Sequence, residues 1–220
     1  MRKIRVAWSS THQEFLITDS YYFSVLARES QKDGMVIEEV DKFSDLFAYD
    51  VVVFNYPERP FSQEEIEVIK ENVMEKGKRV LFTAHFQNKD RVAEICSEVA
   101  RLFGLLVLPD EVRDQVNHLD EDPYQILTSR VLVYSEGVKQ VVFPYSAPLK
   151  LLAEAEIILR GMETARSGEG EEAPVLVAEK RFSSGGSFVL SGSCIFWDNY
   201  SITREDNLRF ALNLIAGAGR

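Results

Sequence analysis

Short apolar runs alternate with segments of helical hydrophobic spacing through the first half of the chain. Four strands are predicted there, at residues 4–8, 35–40, 51–54 and 79–83. The run at residues 51–54 is apolar without interruption, which is typical of a strand covered on both faces by helices. Strands and helices that alternate in this way predict right-handed crossover connections and a parallel sheet.

Three helices are predicted between and after these strands. The first covers residues 21–29. The second begins at a capping box made by Ser62 and Glu65, and Gly77 ends it. The third is marked by a single apolar stripe, formed by Val92, Ile95, Val99 and Leu102.

The pattern changes at about residue 109, beyond which strands are predicted with little helix between them. Residues 164–173 are polar and contain glycine, which is typical of a mobile loop. A closing helix is expected at residues 205–215, with Thr203 as its N-cap. The last two predicted strands form a hairpin, and the full set is residues 126–134, 138–143, 155–159, 174–182 and 187–196.

These elements predict an α/β fold with a mostly parallel, doubly wound sheet of the flavodoxin-like kind. Helices are expected on both faces, and antiparallel strands are added in the C-terminal half. We expect a single domain over residues 1–220, with a parallel βα core at 1–108 and added strands, hairpin and closing helix at 109–220. A chain of 220 residues is long enough to bury a core of its own.

An excess of acidic side chains narrows the range of partners. The chain has 35 Asp and Glu against 25 Lys and Arg, a net charge of −10, so no nucleic-acid partner is expected. No apolar run approaches the roughly 18–20 residues that span a bilayer, and the N-terminus lacks a signal-peptide pattern. The two cysteines form no disulfide framework. We therefore expect a cytoplasmic protein without membrane insertion.

Polar residues follow several of the predicted strands. In an open parallel sheet, ligands bind at the carboxyl ends of the strands, near the point where the strand order reverses. These residues are therefore expected to converge on one polar crevice. The candidate ligand-binding residues are Ser9, Ser10, Thr11, His12, Asn55, Tyr56, His85, Ser193, Asp198 and Asn199. Thr83 also lies at the end of a predicted strand, and the last strand is expected to bring Ser191 to the same crevice.

His12 and His85 each come just after a predicted strand. A histidine there serves as a general base, as a hydrogen-bond donor to a ligand or as a metal ligand, or is a loop residue satisfied by backbone groups. With Asp198 the two would make a two-histidine, one-carboxylate metal site, although their spacing does not demand one. Neither a Walker loop nor a GxGxxG motif is present, so no cofactor is predicted.

The two cysteines are tested against nucleophilic catalysis. A cysteine nucleophile needs a sharp strand-to-helix turn that exposes its thiolate beside a base. Cys96 is predicted in the middle of a helix and Cys194 inside a strand, so both are interpreted as buried structural thiols. The rings of residues 21–23 are interpreted as core, although one of them could line the crevice above the first strand.

Several segments resemble a branch of the class I glutamine-amidotransferase-like superfamily. This branch includes accessory domains of gliding-motility transporters and the N-terminal domain of an intraflagellar-transport subunit. The resemblance covers most of the chain and is a likeness of pattern rather than one diagnostic motif. It rests on residues 5–8, 12–15, 21–26, 50–55, 61–65, 77–81, 191–193, 206–208 and 213–215.

The resemblance implies the α/β fold of this superfamily and indicates whether its catalytic activity is expected. In the amidotransferases a nucleophilic cysteine follows the strand that corresponds to residues 80–83. Here Ala84, His85 and Phe86 stand at that elbow, so glutamine hydrolysis by the family mechanism is not expected. His12 matches a histidine often found after the first strand of this branch. Members are thought to bind ligands or act as scaffolds, with sugar binding suggested for some.

The leading hypothesis is a non-catalytic binding module. A small polar ligand, a carbohydrate being one class, or a protein partner would bind near His12, Asn55, His85 and Asp198. The alternative is a hydrolase of unknown specificity, with His85 or His12 as base and either water or Cys194 as nucleophile. A third hypothesis is an assembly protein that pairs with itself as a homo-oligomer.

Overall fold

The carboxyl-end crevice expected from the sequence depends on how the parallel strands are ordered. In the computed structural model, which describes residues 3–218, five parallel strands lie in the order β2-β1-β3-β4-β14. Strands are numbered along the chain, and this set is β1 Ile4–Ser9, β2 Met35–Val40, β3 Val51–Asn55, β4 Arg79–Thr83 and β14 Ser187–Ser191. The predicted parallel core is confirmed.

Antiparallel strands extend this sheet beyond β14 to a total of nine strands. β13 pairs with β14, β10 and β11, and β5 lies at the far edge against β10. The C-terminal half therefore completes the same sheet and adds antiparallel strands, as predicted. The added strands are β5 Leu105–Val107, β10 Leu149–Leu151, β11 Glu156–Arg160 and β13 Val175–Arg181.

Two small sheets lie outside the main one. One pairs β6 Val112–Arg113 with β12 Arg166–Ser167. The other contains β7 His118–Leu119, β8 Asp122–Thr128 and β9 Val141–Pro144. β8 ends at Thr128 instead of continuing to residue 134, because its pairing partner β9 reaches only that far.

The polar segment at residues 164–173 is not the free loop that its composition indicated. β12 within it pairs with β6. The backbone N–H of Gly168 donates to the Glu111 carbonyl at 2.9 Å, and that of Glu169 donates to the Asp110 carboxylate at 3.1 Å. These hydrogen bonds fix the segment against residues 110–113.

Four helices cover the two faces of the main sheet, α1 Ser20–Lys32, α2 Gln63–Met74, α3 Val92–Ala100 and α4 Asn207–Ala216. α1 and α4 pack in one core, and α2 and α3 in the other. Alternate residues of a strand point to opposite faces, so Val6 and Trp8 of β1 enter the first core and Ala7 the second. None of the helices within residues 3–218 has the length and apolar character to cross a bilayer.

The start of α2 agrees with the sequence prediction, whereas the end of α3 and the start of α4 differ from it. The Glu65 N–H donates to Ser62 Oγ at 3.2 Å, and the Ser62 N–H donates to the Glu65 carboxylate at 2.8 Å, which confirms the capping box. The predicted N-cap Thr203 is wrong, because α4 begins later, after Asp206. Leu102 is also not part of the buried stripe. It lies in a 3₁₀ turn after α3 and is 40% exposed.

The strand order reverses at β1. The connection through α1 leads to β2 on one side, and the next strand, β3, lies on the other side of β1. Loops that leave the carboxyl ends of β1 and β3 therefore diverge and leave a crevice between them.

Candidate functional site

A cavity of about 190 Å³ lies at the carboxyl ends of the parallel strands. We call it the strand-end cavity. The segments that follow β1, β3, β4 and β14 all contribute to its lining, together with the start of α1. Its lining residues are Phe15, Tyr22, Phe23, Tyr56, His85, Lys89, Asp90, Cys194, Ile195 and Asp198.

Aromatic rings form one wall of the strand-end cavity. Phe15 stacks on Tyr56 with ring centroids 4.9 Å apart, and the centroid of the Tyr22 ring lies 5.7 Å from that of Phe15. The loop that carries Phe15 is fixed to the sheet, since Trp8 Nε1 donates to the Phe15 carbonyl at 2.7 Å and the Phe15 N–H donates to the Asn55 carbonyl at 3.2 Å. The wall is therefore built on the ends of β1 and β3.

Tyr56 is buried and held in place from two directions. Its hydroxyl donates to Asp90 Oδ2 at 2.6 Å, and its backbone N–H donates to Thr83 Oγ1 at 3.1 Å. Its φ of +64° is unusual for a residue with a side chain. Burial and the hydrogen bond to Asp90 both raise the pKa of the Tyr56 phenol, so this side chain remains neutral.

The segment after β4 bends sharply and brings two charged residues to the cavity. Gln87, Asn88, Asp90 and Arg91 all have positive φ values, between 49° and 63°. Backbone strain of this kind costs about 1–3 kcal/mol per residue and persists only where the surroundings enforce it. The segment delivers Lys89 and Asp90 to the lining, and both side chains are exposed.

His85 and Cys194 face each other, with His85 Nδ1 3.9 Å from Cys194 Sγ. Burial raises the pKa of the Cys194 thiol, and the Asp198 carboxylate raises it further. Burial, with help from Lys89, lowers the pKa of the His85 imidazole to about 4. Both groups are thus neutral at pH 7. These shifts disfavour the thiolate–imidazolium pair in which a cysteine nucleophile is already ionised.

Cys194 lies in a different element from the one predicted. β14 ends at Ser191, and Cys194 follows in a turn at the carboxyl end of the strand. The predicted strand at residues 187–196 is therefore too long. Cys194 is nevertheless buried, with 2% exposure, and Cys96 is fully buried in α3 as predicted.

Asp198 is a buried carboxyl group at the edge of the strand-end cavity, only 4% exposed. Its Oδ1 accepts hydrogen bonds from the backbone N–H groups of Tyr200 at 3.0 Å and Ser201 at 3.2 Å. Burial raises its pKa to about 6, although these two bonds act in the opposite direction. Over the described residues, no Lys, Arg or His nitrogen pairs with this carboxylate within 4.0 Å.

A second depression of about 300 Å³ adjoins the first. The two share Tyr22, Ile195 and Asp198, so they form one continuous groove. Arg204 lines the second depression, where its guanidinium is already paired with the Asp120 carboxylate. Aromatic rings line both depressions, with Lys89 and Asp90 in the first and Arg204 in the second.

The polar residues at the end of β1 bond to one another or to the end of β2, and they do not line the cavity. The hydroxyls of Ser9 and Thr11 are 2.9 Å apart, and Ser10 Oγ donates to the Val40 carbonyl at 3.3 Å. Thr11 Oγ1 also lies 2.7 Å from His12 Nδ1. This part of the sequence shapes the turn that leaves the strand.

His12 packs against the beginning of α2 rather than in the cavity. It is fully buried and its ring stacks on Phe61, with centroids 3.8 Å apart. Its Nε2 is 3.5 Å from Glu65 Oε2, an electrostatic contact longer than an ordinary hydrogen bond. Burial lowers the pKa of His12 to about 4, outweighing the opposing influence of Glu65. A neutral His12 therefore links the turn after β1 to α2.

The side-chain oxygens of Asn55 and Ser193 are also occupied within the fold. Asn55 Oδ1 accepts from Thr83 Oγ1 at 2.8 Å and from Trp197 Nε1 at 3.1 Å. Ser193 Oγ donates to the Pro144 carbonyl at 2.5 Å. These bonds join the ends of neighbouring strands to the segments beside them.

Asn199 connects the segment after β14 to α1. Its side-chain amide donates to the carbonyls of Ser20 at 3.1 Å and Tyr21 at 2.7 Å, and its oxygen accepts from the Val25 N–H at 3.1 Å. This bonding places Tyr22 of α1 beside Asp198 at the groove.

The arrangement does not support a metal site built from His12, His85 and Asp198, since His12 lies outside the cavity. Across residues 3–218, no group of three or more His, Cys, Asp and Glu side chains is placed to hold a metal ion.

Of the residues named from the sequence, Tyr56, His85 and Asp198 meet in the strand-end cavity. The expectation that a ring of residues 21–23 lines the crevice agrees with the positions of Tyr22 and Phe23. Sequence reasoning missed Phe15, Lys89 and Asp90. The polar run at residues 87–90 carried a signal, since Asn and Asp favour left-handed turns.

Comparisons with known proteins bear on fold and family. No family model matches the sequence. A structure of PurLQS from Thermotoga maritima covers 98% of this chain and 99% of its own at 11% identity, but its TM-score of 0.49 is too low to support an inference. The mmIFT52 N-terminal domain has a TM-score of 0.78 and 17% identity over 94% of this chain and 93% of its own, which shows the same fold.

A much closer relative comes from Aquifex aeolicus (strain VF5) and is described as an uncharacterized protein. It is 44% identical over 220 residues, which covers 96% of this chain and 93% of the relative. Identity at this level over nearly the whole length shows common descent. The chain therefore belongs to the same family as this Aquifex aeolicus protein.

Proposed function

We propose that this protein is a non-catalytic binding module whose strand-end cavity receives a small ligand with both polar groups and an apolar face. Carbohydrates are one class with that combination. The observation that carries the proposal is the cavity itself, whose lining combines stacked rings with the buried carboxyl group of Asp198. Ligand sites typically combine apolar walls with a few directed polar groups.

The chemistry of the cavity supports binding rather than catalysis. The Cys194–His85 contact of 3.9 Å is the one feature that favours the alternative, a hydrolase with a cysteine nucleophile. The raised pKa of the thiol and the lowered pKa of the imidazole oppose formation of a thiolate–imidazolium pair. Membership of the glutamine-amidotransferase-like superfamily and a cytoplasmic location remain parts of the proposal.

A thermal-shift screen tests the proposal directly. Purified protein is heated with sugars, amino acids, nucleotides and divalent metal ions in turn. A ligand that binds only the folded state raises the melting temperature, since a hundredfold excess over Kd contributes about 2.7 kcal/mol. We expect at least one small polar compound to raise it.

Two variants locate any hit. Ile195→Phe places a larger side chain at the junction of the two depressions and is expected to abolish the shift. Leu152→Phe makes a comparable change at a residue that is 47% exposed and does not line the groove, and it is expected to retain the shift. No shift with any compound, or a shift that Ile195→Phe leaves intact, would reject the cavity as the site and point to a protein partner.

A further inference from the structure

We infer that the ligand carries an ammonium group, which binds between the Asp198 carboxylate and the rings of Tyr22 and Tyr56. The inference rests on the proposed function, because it specifies the chemistry of a ligand in the strand-end cavity. It is carried by three features: a buried carboxylate without a cationic partner, an aromatic wall, and the distribution of the surrounding charges.

Asp198 is a buried acid whose counter-charge is missing. Buried carboxylates in proteins are normally paired with a cation or neutralised by protonation. The part of the chain that the structure describes places no ion-pair partner within 4.0 Å of Asp198, and its two hydrogen bonds come from backbone N–H groups. Because the residue lines both depressions of the groove, a bound cation can reach it from the cavity.

The aromatic wall is suited to the same group. A cation is attracted to the face of an aromatic ring when it lies within about 6 Å of the ring centroid. Phe15 and Tyr56 stack on each other, and Tyr22 lies beside Phe15 in the same lining. A quaternary or primary ammonium in the cavity would thus meet aromatic rings and a carboxylate together, which is the chemistry of an aromatic cage.

The other charged groups around Asp198 do not neutralise it. His85 is neutral at pH 7, because burial lowers its pKa, and the Cys194 thiol is also neutral. Arg204 is paired with Asp120. Lys89 lines the cavity from the strained segment after β4, and over the described residues it forms no ion pair with Asp198 within 4.0 Å.

Asp90 adds a second negative charge to the lining, where its carboxylate accepts the Tyr56 hydroxyl bond. The protein as a whole carries a net charge of −10. The Asp90 carboxylate and the negative net charge of the protein both favour the approach of a cationic ligand over an anionic one.

The test compares two compounds of the same shape that differ only in charge. Choline and 3,3-dimethylbutan-1-ol are titrated into the wild-type protein at pH 7.5, with binding followed by calorimetry. We expect choline to bind at least about tenfold more tightly than its uncharged isostere, since a desolvated cation–π contact and a carboxylate contribute only to choline. Glucosamine and glucose form a second pair with the same expectation.

Variants separate the contributions of the charged groups. Asp198→Asn is expected to remove most of the preference for choline, whereas Asp41→Asn, at an exposed site, controls for the loss of one negative charge. Lys89→Gln should tighten choline binding severalfold because it removes a repelling charge. Weaker choline binding in Lys89→Gln would contradict the inference.

The outcomes distinguish this inference from the proposed function. The ammonium inference would be overturned if the charged and uncharged members of each pair bound equally. It would also be overturned if none of the four compounds bound. A neutral compound that binds and is lost in Ile195→Phe would leave the binding module intact. A choline preference that survives Asp198→Asn would overturn the assignment of Asp198.

Discussion

The buried carboxylate of Asp198 destabilises the folded protein but lies where a ligand can bind. Its pKa is about 6 in the folded protein against 3.8 for an ordinary aspartate, and burial is the main cause. The folded state therefore holds a proton more tightly than the unfolded state between these two pH values. It follows that the free energy of unfolding decreases as pH rises from about 3.8 to about 6, and that the penalty persists at pH 7.

Asp198→Asn should therefore stabilise the protein at pH 7, by on the order of 2 kcal/mol, while reducing ligand binding. Asparagine keeps an oxygen that accepts from the Tyr200 and Ser201 N–H groups but has no charge to bury. Urea unfolding at pH 7 and at pH 3.5 checks this. The advantage of the variant should nearly vanish at the lower pH, and a variant that is destabilised at both would contradict the account.

The thiol of Cys194 should react slowly with alkylating agents in the folded protein. Its thiol is 2% exposed and its pKa is raised, so iodoacetamide should label the native protein far more slowly than the urea-unfolded protein at pH 8. Mass spectrometry after proteolysis follows Cys194 and Cys96 separately. Rapid labelling of Cys194 alone in the native state would support the hydrolase alternative.

The segment at residues 86–91 is the element most closely tied to the cavity. It carries Lys89 and Asp90, and its left-handed residues are held partly by the hydrogen bond from the Tyr56 hydroxyl to Asp90. Without that bond, the segment should open more often, since strained backbone persists only where contacts enforce it.

Tyr56→Phe should lower the free energy of unfolding by about 1.5–3 kcal/mol, the range for a hydrogen bond to a charged group. Amide hydrogen exchange should become faster at residues 86–91 and remain unchanged in α2. Asp90→Asn keeps an oxygen acceptor for the tyrosine hydroxyl and should have a smaller effect. Unchanged exchange at residues 86–91 in Tyr56→Phe would mean that other contacts hold the segment.

The elements that were predicted well are those with strong local signals. The capping box of Ser62 and Glu65 fixed the start of α2, and the uninterrupted apolar run marked β3. Leu102 was assigned to the buried face of α3 because its spacing fits an α-helix, but the chain tightens into a 3₁₀ turn there and buries Phe103 instead. The three-residue strands β5 and β10 are too short to produce a periodic pattern.

At the scale of the whole molecule, strand pairing over long sequence separations decides the site. The sequence predicted β13 and β14 as a hairpin, which is confirmed. It did not reveal that β14 also inserts in parallel beside β4, the pairing that brings Cys194 and Asp198 opposite His85. Such a contact joins residues about a hundred positions apart, and no local pattern encodes it.

The same limit explains which candidate residues meet in the cavity. The rule that ligands bind at carboxyl strand ends selected Tyr56, His85 and Asp198. It selected His12 and Asn55 equally, because it cannot tell which side chains turn inwards. His12 packs against Phe61 and lies close to Glu65 of α2. The Asn55 side-chain oxygen accepts hydrogen bonds from Thr83 and Trp197.

Ligand-induced chemical-shift changes test the central claim of a strand-end binding site most directly. ¹⁵N-labelled protein is titrated with choline, and with the best compound from the thermal-shift screen, while backbone amide signals are followed by NMR. We expect saturable shifts concentrated at residues 15–23, 56, 85–90 and 194–201, at the carboxyl ends of the parallel strands. Shifts confined to the opposite edge of the sheet, or no saturable shifts with any compound, would contradict it.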